Sequence, residues 1–364
     1  MLIANSMFRG KILDVFSSSF LKANGYRIEF CELNGIVRDD SEVENSEEDG
    51  FRFHKDGIFS VFFSHKIKDS KYSLLSHFSL TRRFFRAEIT SIIVFQDKSM
   101  LALAKKGLYR KDKGSNCFIK CFTIPRGSRP LNLCVTPSGY IFFGEYFQNM
   151  NKGSVHIYGS NDNGQNWRIV YTFPEGDVNH IHGLFYDKFS DRVWVVTGDR
   201  ENECIIGYTD DDFKSFNEVF RGGQEYRTCQ LFFYPDFIVF ATDSQYIENK
   251  IKCFDRNTLE IRELQTVLGS VIKGGQVGEV SFLSTTVEPS DVNKDRYAHL
   301  WVTKDGLHWE ERFKAKKDWL PSIFQFGTFE FPQYYLGEGE KLERLYFSGR
   351  ALKGLDGKTT YIDL

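Results

Sequence analysis

The sequence predicts an all-β fold, a single β-propeller of four-stranded blades. Seven blades fit the repeat count, and six fit if residues 1–60 do not complete a blade. Three observations carry this expectation. Aspartates in similar turn-forming strings recur at intervals of 43 to 51 residues, from Asp69 to Asp356. Short apolar runs of strand length lie between them, and no long stretch keeps apolar residues at helical spacing. The chain also holds 36 Phe and 17 Tyr against 8 Pro and 4 Met. Flat side chains of that kind pack well on pleated sheets.

The bulk composition narrows the class. A chain of 364 residues has room for two domains at about 150 residues each, but a repeat spanning its length reads as one domain, residues 1–364. The acidic run at 38–50 then reads as a polar loop inserted in the first blade. Apolar residues at 41% are ample for a core. A formal charge of −2 gives no electrostatic case for a nucleic-acid or anionic-membrane partner. No run of 18 apolar residues predicts a membrane span. Arg9 and Lys11 interrupt the apolar start, so no signal peptide is expected. The seven cysteines are odd in number and scattered. Cys117 and Cys121 are four apart, with no second pair to complete a zinc site. Free thiols in a reducing compartment, hence a cytoplasmic location, are the expectation.

The repeat marker is clearest in SNDNGQNW, with Ser160, Asp162, Gly164 and Trp167. RKDKGSNC keeps Asp112 and Gly114. TDDDFKSF keeps Thr209, Asp211 and Phe216, with Phe213 in the glycine's place. TKDGLHW keeps Thr303, Asp305, Gly306 and Trp309, one residue shorter. Asp69, Asp255 and Asp356 are weaker echoes. An Asp carboxylate can accept bonds from backbone N–H groups in a tight turn, Gly supplies positive φ, and the aromatic packs the turn on the sheet. These strings resemble the Asp-box, or BNR repeat, of sialidase-type β-propellers, over roughly residues 60 to 364.

The resemblance implies a sorting of residues. Asp-box turns would lie on one face, with a structural role. The starts of the inner strands and the ends of the second strands would surround the channel mouth on the other. Those places hold Arg126, Arg129, Glu145, Tyr146 and Asn149 in the third repeat. The fourth offers Asn179, His180, His182, Asp199 and Arg200. The fifth offers Gln224, Tyr226, Arg227 and Asp243, and the sixth Gln276 and Glu279. The candidate catalytic residues are Glu145, His180, His182, Asp199, Tyr226 and Asp243. The candidate substrate-binding residues are Arg129, Tyr146, Arg227, Gln224 and Glu279. His180 and His182 alternate on a strand and so share a face. No cofactor is required, but the pair would hold a divalent metal if Glu145 or Asp199 closed the shell.

Three functions fit this rim. The first is a glycosidase acting on an acidic glycan, with two carboxylates or a Tyr nucleophile. The second is a polysaccharide lyase, which needs a His or Tyr base and an Arg or metal to neutralise a uronate. The third is a non-catalytic propeller that binds a glycan or a protein. The hydrolase stands first among these expectations. The expected partner is an acidic sugar or polysaccharide.

Overall fold

A computed structural model describes residues 5–16, 19–33, 52–53, 59–67, 70–337 and 339–364. The acidic run at 38–50 and the marker Asp69 lie outside the described residues. The architecture is seven four-stranded antiparallel blades around a central channel.

Each blade runs from a buried inner strand, a, to an exposed outer strand, d. In blade 4 these strands are His180–Asp187, Arg192–Gly198, Cys204–Thr209 and Asn217–Gly222. The first three are largely buried and the fourth is largely exposed. Blade 3 (Cys134–Val135 to Arg168–Phe173), blade 5 (Thr228–Phe233 to Ile261–Val267) and blade 6 (Ser270–Val277 to Glu310–Lys316) follow the same order. Blades 1 and 2 are joined at their outer edges, where Phe59–Ile67 pairs in parallel with Cys117–Thr123. Two short helices, Ser70–Leu75 and Ser79–Phe85, connect these blades.

The ring closes through its ends. Blade 7 takes Thr328–Glu330, Arg344–Arg350 and Lys358–Asp363 from the end of the chain. Its outer strand is Asn5–Arg9, paired antiparallel with Lys358–Asp363. Residues 5–67 thus supply both the closing strand and blade 1, which decides for seven blades over six. The arrangement also corrects one marker. Asp356 lies between the second and third strands of blade 7 rather than in a c–d turn. Its carboxylate accepts the Ala351 N–H at 2.8 Å. The c–d step of blade 7 joins the two ends of the chain, so no turn exists there to carry a marker.

The core is divided among the blade interfaces. Seven buried apolar clusters are found among the described residues, one for each pair of neighbouring blades. Phe142 of blade 3 meets Phe213 of blade 4 at 5.1 Å between ring centroids. Trp194 of blade 4 meets Phe254 of blade 5 at 5.8 Å. Each fully buried Phe contributes about 1.5–3 kcal/mol of transfer free energy, so the aromatic excess is spent where sheet faces sheet. Among the described residues no helix is long and apolar enough to cross a membrane. Five of the seven cysteines are buried and none is paired.

The turns around Asp162, Asp211 and Asp305 share one hydrogen-bond pattern. The hydroxyl two residues earlier donates to the carboxylate, from Ser160 at 2.8 Å, Thr209 at 2.9 Å and Thr303 at 3.0 Å. The same oxygen accepts backbone N–H groups further along, from Asn166, Ser215 and His308, each at 2.9 Å. Trp167 and Trp309 donate their indole N–H to the carbonyls of Gly164 and Gly306, both at 3.0 Å. Phe213 occupies the glycine position at φ +68°. All three turns lie between strands c and d, as expected. Asp112 and Asp255 lie in the corresponding turns of blades 2 and 5.

The effect of burial on these carboxylates is opposed by the bonds they accept. For Asp162 and Asp305 burial would raise the pKa, but the hydrogen bonds outweigh it and hold both below the usual range. A carboxylate held low in the fold adds stability above its unfolded value, about 3.9. That contribution is lost as pH falls through the folded value. Asp162→Ala should therefore cost about 1 kcal/mol, the size of a lost capping aspartate. The expected drop in Tm at neutral pH is about 2 °C. The gap between variant and parent should narrow as pH falls below about 4. Thermal melts at several pH values check this. A gap that does not change with pH would contradict the assignment.

Candidate functional site

The functional face is fixed by an irregularity in the inner strands. In blade 4, Ile181 pairs with Thr197 but Gly183 pairs with Val196, so His182 is an extra residue in the ladder. Blades 1 and 6 show the same offset in strand a, between Ile12 and Asp14 and between Val271 and Lys273. A bulge of this kind twists the strand and re-aims side chains. Residues two apart on a regular strand stand about 7 Å apart along it, but here the rings of His180 and His182 have centroids 5.0 Å apart. Gly198 makes room for them, since a Cβ there would lie 2.6 Å from His182 Cε1.

Asp199 follows the second strand of blade 4 and faces both rings. His182 Nε2 is 3.2 Å from Asp199 Oδ1 and His180 Nε2 is 3.4 Å from Oδ2. The two Nε2 atoms are 3.1 Å apart. His180 Nδ1 bonds the Phe147 carbonyl and His182 Nδ1 the Thr228 carbonyl, both at 2.9 Å. A carbonyl only accepts, so each Nδ1 carries the hydrogen. Arg227 Nη2 reaches Asp199 Oδ1 at 2.9 Å and Asp243 Oδ2 at 3.6 Å. Cys229 Sγ is 3.4 Å from Asp243 Oδ2. The ring of Tyr146 covers His180 at 4.4 Å. Gln224 supports the group from behind, donating to the Asp199 carbonyl at 2.7 Å and accepting from Ser244 at 2.9 Å.

Electrostatics separate the two acids. Burial alone would raise Asp199, but with both rings protonated their bonds and charge would hold its carboxyl far below the usual range. Asp243 is 4% exposed. Burial pushes it up to about 7, with Arg227 only partly opposing. Glu288 is also raised, by burial before any other cause.

These groups open on a cavity of about 670 Å³ at the channel mouth. Its other wall is strongly basic. Arg129 lies 3.7 Å from Glu88, Arg350 lies 2.7 Å from Glu88 and contacts Glu330, and Lys11 lies 2.9 Å from Glu330. Lys273 joins them, lowered by burial to about 8. Arg86, Arg129, Lys273 and Arg350 line this wall with Glu330, while Lys11 and Glu88 pair with them without lining the cavity. Arg129 Nη1, Arg350 Nε and Gln325 Nε2 are buried with no hydrogen-bond partner among the described residues. All three side chains line the cavity.

The predicted residues therefore divide. Tyr146, His180, His182, Asp199, Arg227 and Asp243 come together, Gln224 supports them, and Arg129 faces them across the cavity. Three others do not join. Glu145 is 1% exposed, and its carboxylate is held by Arg126 and by the His156 N–H at 2.9 Å. Tyr226 stacks on Phe220 at 5.3 Å. Glu279 lies at the a–b turn of blade 6, at the other end of the channel, where its carbonyl accepts the Tyr234 hydroxyl at 3.1 Å. The expectation for Gln276 and Glu279 puts Gly274 and Gly275 at the start of strand a. They are inside strand Ser270–Val277, where a Cβ would meet Phe232 at 2.9 Å and Phe282 at 2.7 Å. Gln276 accordingly bonds the Phe233 backbone rather than the rim. Lys273, Glu288, Gln325, Glu330 and Arg350 were missed. Arg350 ends the second strand of blade 7 and Glu288 follows that of blade 6, so the sorting rule would have found both had it been carried round the ring.

No family model matches the chain, and no curated protein matches its sequence. Solved structures do resemble it. A chain of the mitotic checkpoint complex is similar over 100% of this chain and 94% of its own, at 10% identity and TM-score 0.55. The WD40 β-propeller domain of Doa1 is similar over 98% and 95%, at 9% identity and TM-score 0.55. A xyloglucanase from Xanthomonas campestris aligns over 59% of this chain and 36% of its own, at 14% identity and TM-score 0.43. At such identities the likeness shows the fold alone: the chain shares the β-propeller architecture of the WD40 domain.

Proposed function

We propose that the protein processes an acidic sugar polymer by elimination, with the substrate's carboxylate held in the channel-mouth cavity. One observation carries this reading. A single cavity brings a wall with excess positive charge, including buried donors that lack acceptors, opposite a cluster of imidazole, guanidinium and carboxylate. Unpaired buried donors favour a ligand that brings acceptors, and planar guanidinium groups match a carboxylate.

Elimination fits better than hydrolysis. Glycoside hydrolysis needs two free carboxyl groups across the bond or an activated tyrosine. The Glu145 carboxylate is already engaged by Arg126 and a backbone N–H, Asp199 and Asp243 share Arg227 on one wall, and Tyr226 is stacked on Phe220. In elimination a base removes the proton next to the sugar carboxylate. The electron pair left behind forms a carbon–carbon double bond as the bond to the glycosidic oxygen breaks, and that oxygen takes up a proton. Arg129 and Arg350 would hold the carboxylate. The cluster around Arg227 would stabilise charge developing on it, and Tyr146, which lines the same cavity beside His180, would move the proton.

Two experiments test this. Incubation with a panel of uronate-containing oligosaccharides should produce the ultraviolet absorbance of an unsaturated uronate. New reducing ends without that absorbance would replace elimination by hydrolysis. Binding without either would leave a ligand-binding propeller. Arg350→Met should weaken binding of such an oligosaccharide by about 10-fold or more, one charge-assisted bond being worth about 1.5–3 kcal/mol. In contrast, Glu145→Gln should lower Tm and leave calorimetric affinity for the same oligosaccharide within about twofold, since its effect is on a buried ion pair. A large affinity loss in a fully folded Glu145→Gln protein would return Glu145 to the site.

A further inference from the structure

The geometry points to a divalent-cation site formed by His180 Nε2, His182 Nε2 and the Asp199 carboxylate, with its remaining coordination position facing the cavity. Both Nδ1 atoms donate to backbone carbonyls, so both Nε2 atoms present lone pairs. Those lone pairs face each other at 3.1 Å, with carboxylate oxygens at 3.2 and 3.4 Å. Four electron-rich atoms converging in this way repel unless something positive lies among them. Bonds of about 2.0–2.1 Å to a tetrahedral ion place adjacent ligand atoms about 3.3 Å apart. The observed separations are those of ligands around one ion.

The surroundings have the features of a built metal site. Ligating imidazoles are typically oriented by a hydrogen bond from the other ring nitrogen, and both rings have one. The carboxylate is oriented too, by Asn179 at 3.0 Å and Arg227 at 2.9 Å. His180 and His182 are 6% and 2% exposed, while Asp199 and His180 reach the cavity wall. Two imidazoles and one carboxylate suit zinc and neighbouring first-row divalent ions rather than calcium or magnesium. Cys229 and Asp243 lie beyond His182 as a second group of donors that shares only that imidazole with the first. The ion's part in elimination, neutralising the sugar carboxylate, rests on the function proposed above. Its binding does not.

Titration of the metal-stripped protein with Co²⁺ is the test. Binding should reach one equivalent and give the intense visible bands of a low-symmetry, four- or five-coordinate N/O site. Zn²⁺ should displace the ion, and the protein as isolated should carry close to one equivalent of a first-row metal. His180→Ala and Asp199→Asn should each weaken Co²⁺ binding by more than about 100-fold, beyond the roughly 10–100-fold typical of an outer-shell partner. Circular dichroism identifies variants that fail to fold, and the titration of the parent protein needs no variant. Absence of Co²⁺ bands in the folded parent, with sub-stoichiometric metal as isolated, would overturn the site and assign the space between the rings to a proton. All of these readings are taken without sugar. A protein that holds the ion yet leaves uronates intact keeps the site and loses the reaction, whereas cleavage by metal-free protein does the reverse.

Discussion

Ring closure is the constraint on which the rest of this structure depends. A four-stranded sheet exposes two apolar faces, and a propeller buries both by setting each sheet between two others. That solution works only if the last sheet also meets the first. Here the closure is made by backbone hydrogen bonds between Asn5–Arg9 and Lys358–Asp363, and by packing of Ile12, Val15 and Phe20 against Tyr346. Once closed, the ring leaves seven narrow interfaces rather than one central core. Large flat side chains fill such interfaces best, which accounts for the Phe content. The same closure directs the inner strands at one axis, so whatever begins those strands must meet there.

The site follows from that convergence together with one local departure. On a regular strand His180 and His182 would share a face with about 7 Å between them along it. The bulge at His182 and the bare Cα of Gly198 bring them together over Asp199. The cost is the burial of several ionisable groups. Arg227 offsets it for Asp199, and Arg126 does so for Glu145. Across the cavity the compensation is incomplete, since Arg129 and Arg350 each keep a buried nitrogen without a partner. Burying a polar atom unpaired costs free energy that a fold does not recover by itself. The anionic ligand proposed above would supply the acceptors that this wall lacks among the described residues.

Much of the fold was legible because its determinants are local and repeated. The Ser/Thr–Asp pair and the following backbone N–H groups lie within seven residues, so spacing alone marked the turns at Asp162, Asp211 and Asp305. The weaker marker Asp356 misled because its string satisfies the same local chemistry in a different loop, and only closure by the distant Asn5–Arg9 strand reveals this. The site was legible in part. His180, Asp199, Arg227 and Asp243 occupy equivalent ends of successive strands, and phase alone united them. Glu145 shares that phase but turns to Arg126, a choice made by side-chain packing that no spacing encodes. Gly274 and Gly275 were misread because glycine serves strand starts and close sheet contacts alike. Arg350 escaped because it belongs to blade 7, where the marker is displaced, and Lys273 because it follows the bulge in its strand.

A division of labour between the two faces ties these points together. On the Asp-turn face, each carboxylate is satisfied within its own turn, by a neighbouring hydroxyl and by backbone N–H groups. The carboxylate needs no partner from the next blade, although Arg110 of blade 2 does bond the Asn163 carbonyl of the Asp162 turn. On the other face every group at the cavity depends on another blade. His182 bonds the carbonyl of Thr228, Arg227 reaches back to Asp199, and Arg350 of blade 7 meets Glu88 beside blade 2. Self-sufficient turns preserve the ring, while interdependent rim residues can be set only after the ring has closed. The rim residues therefore meet where the repeat is least regular, and the regular turns identify the fold alone.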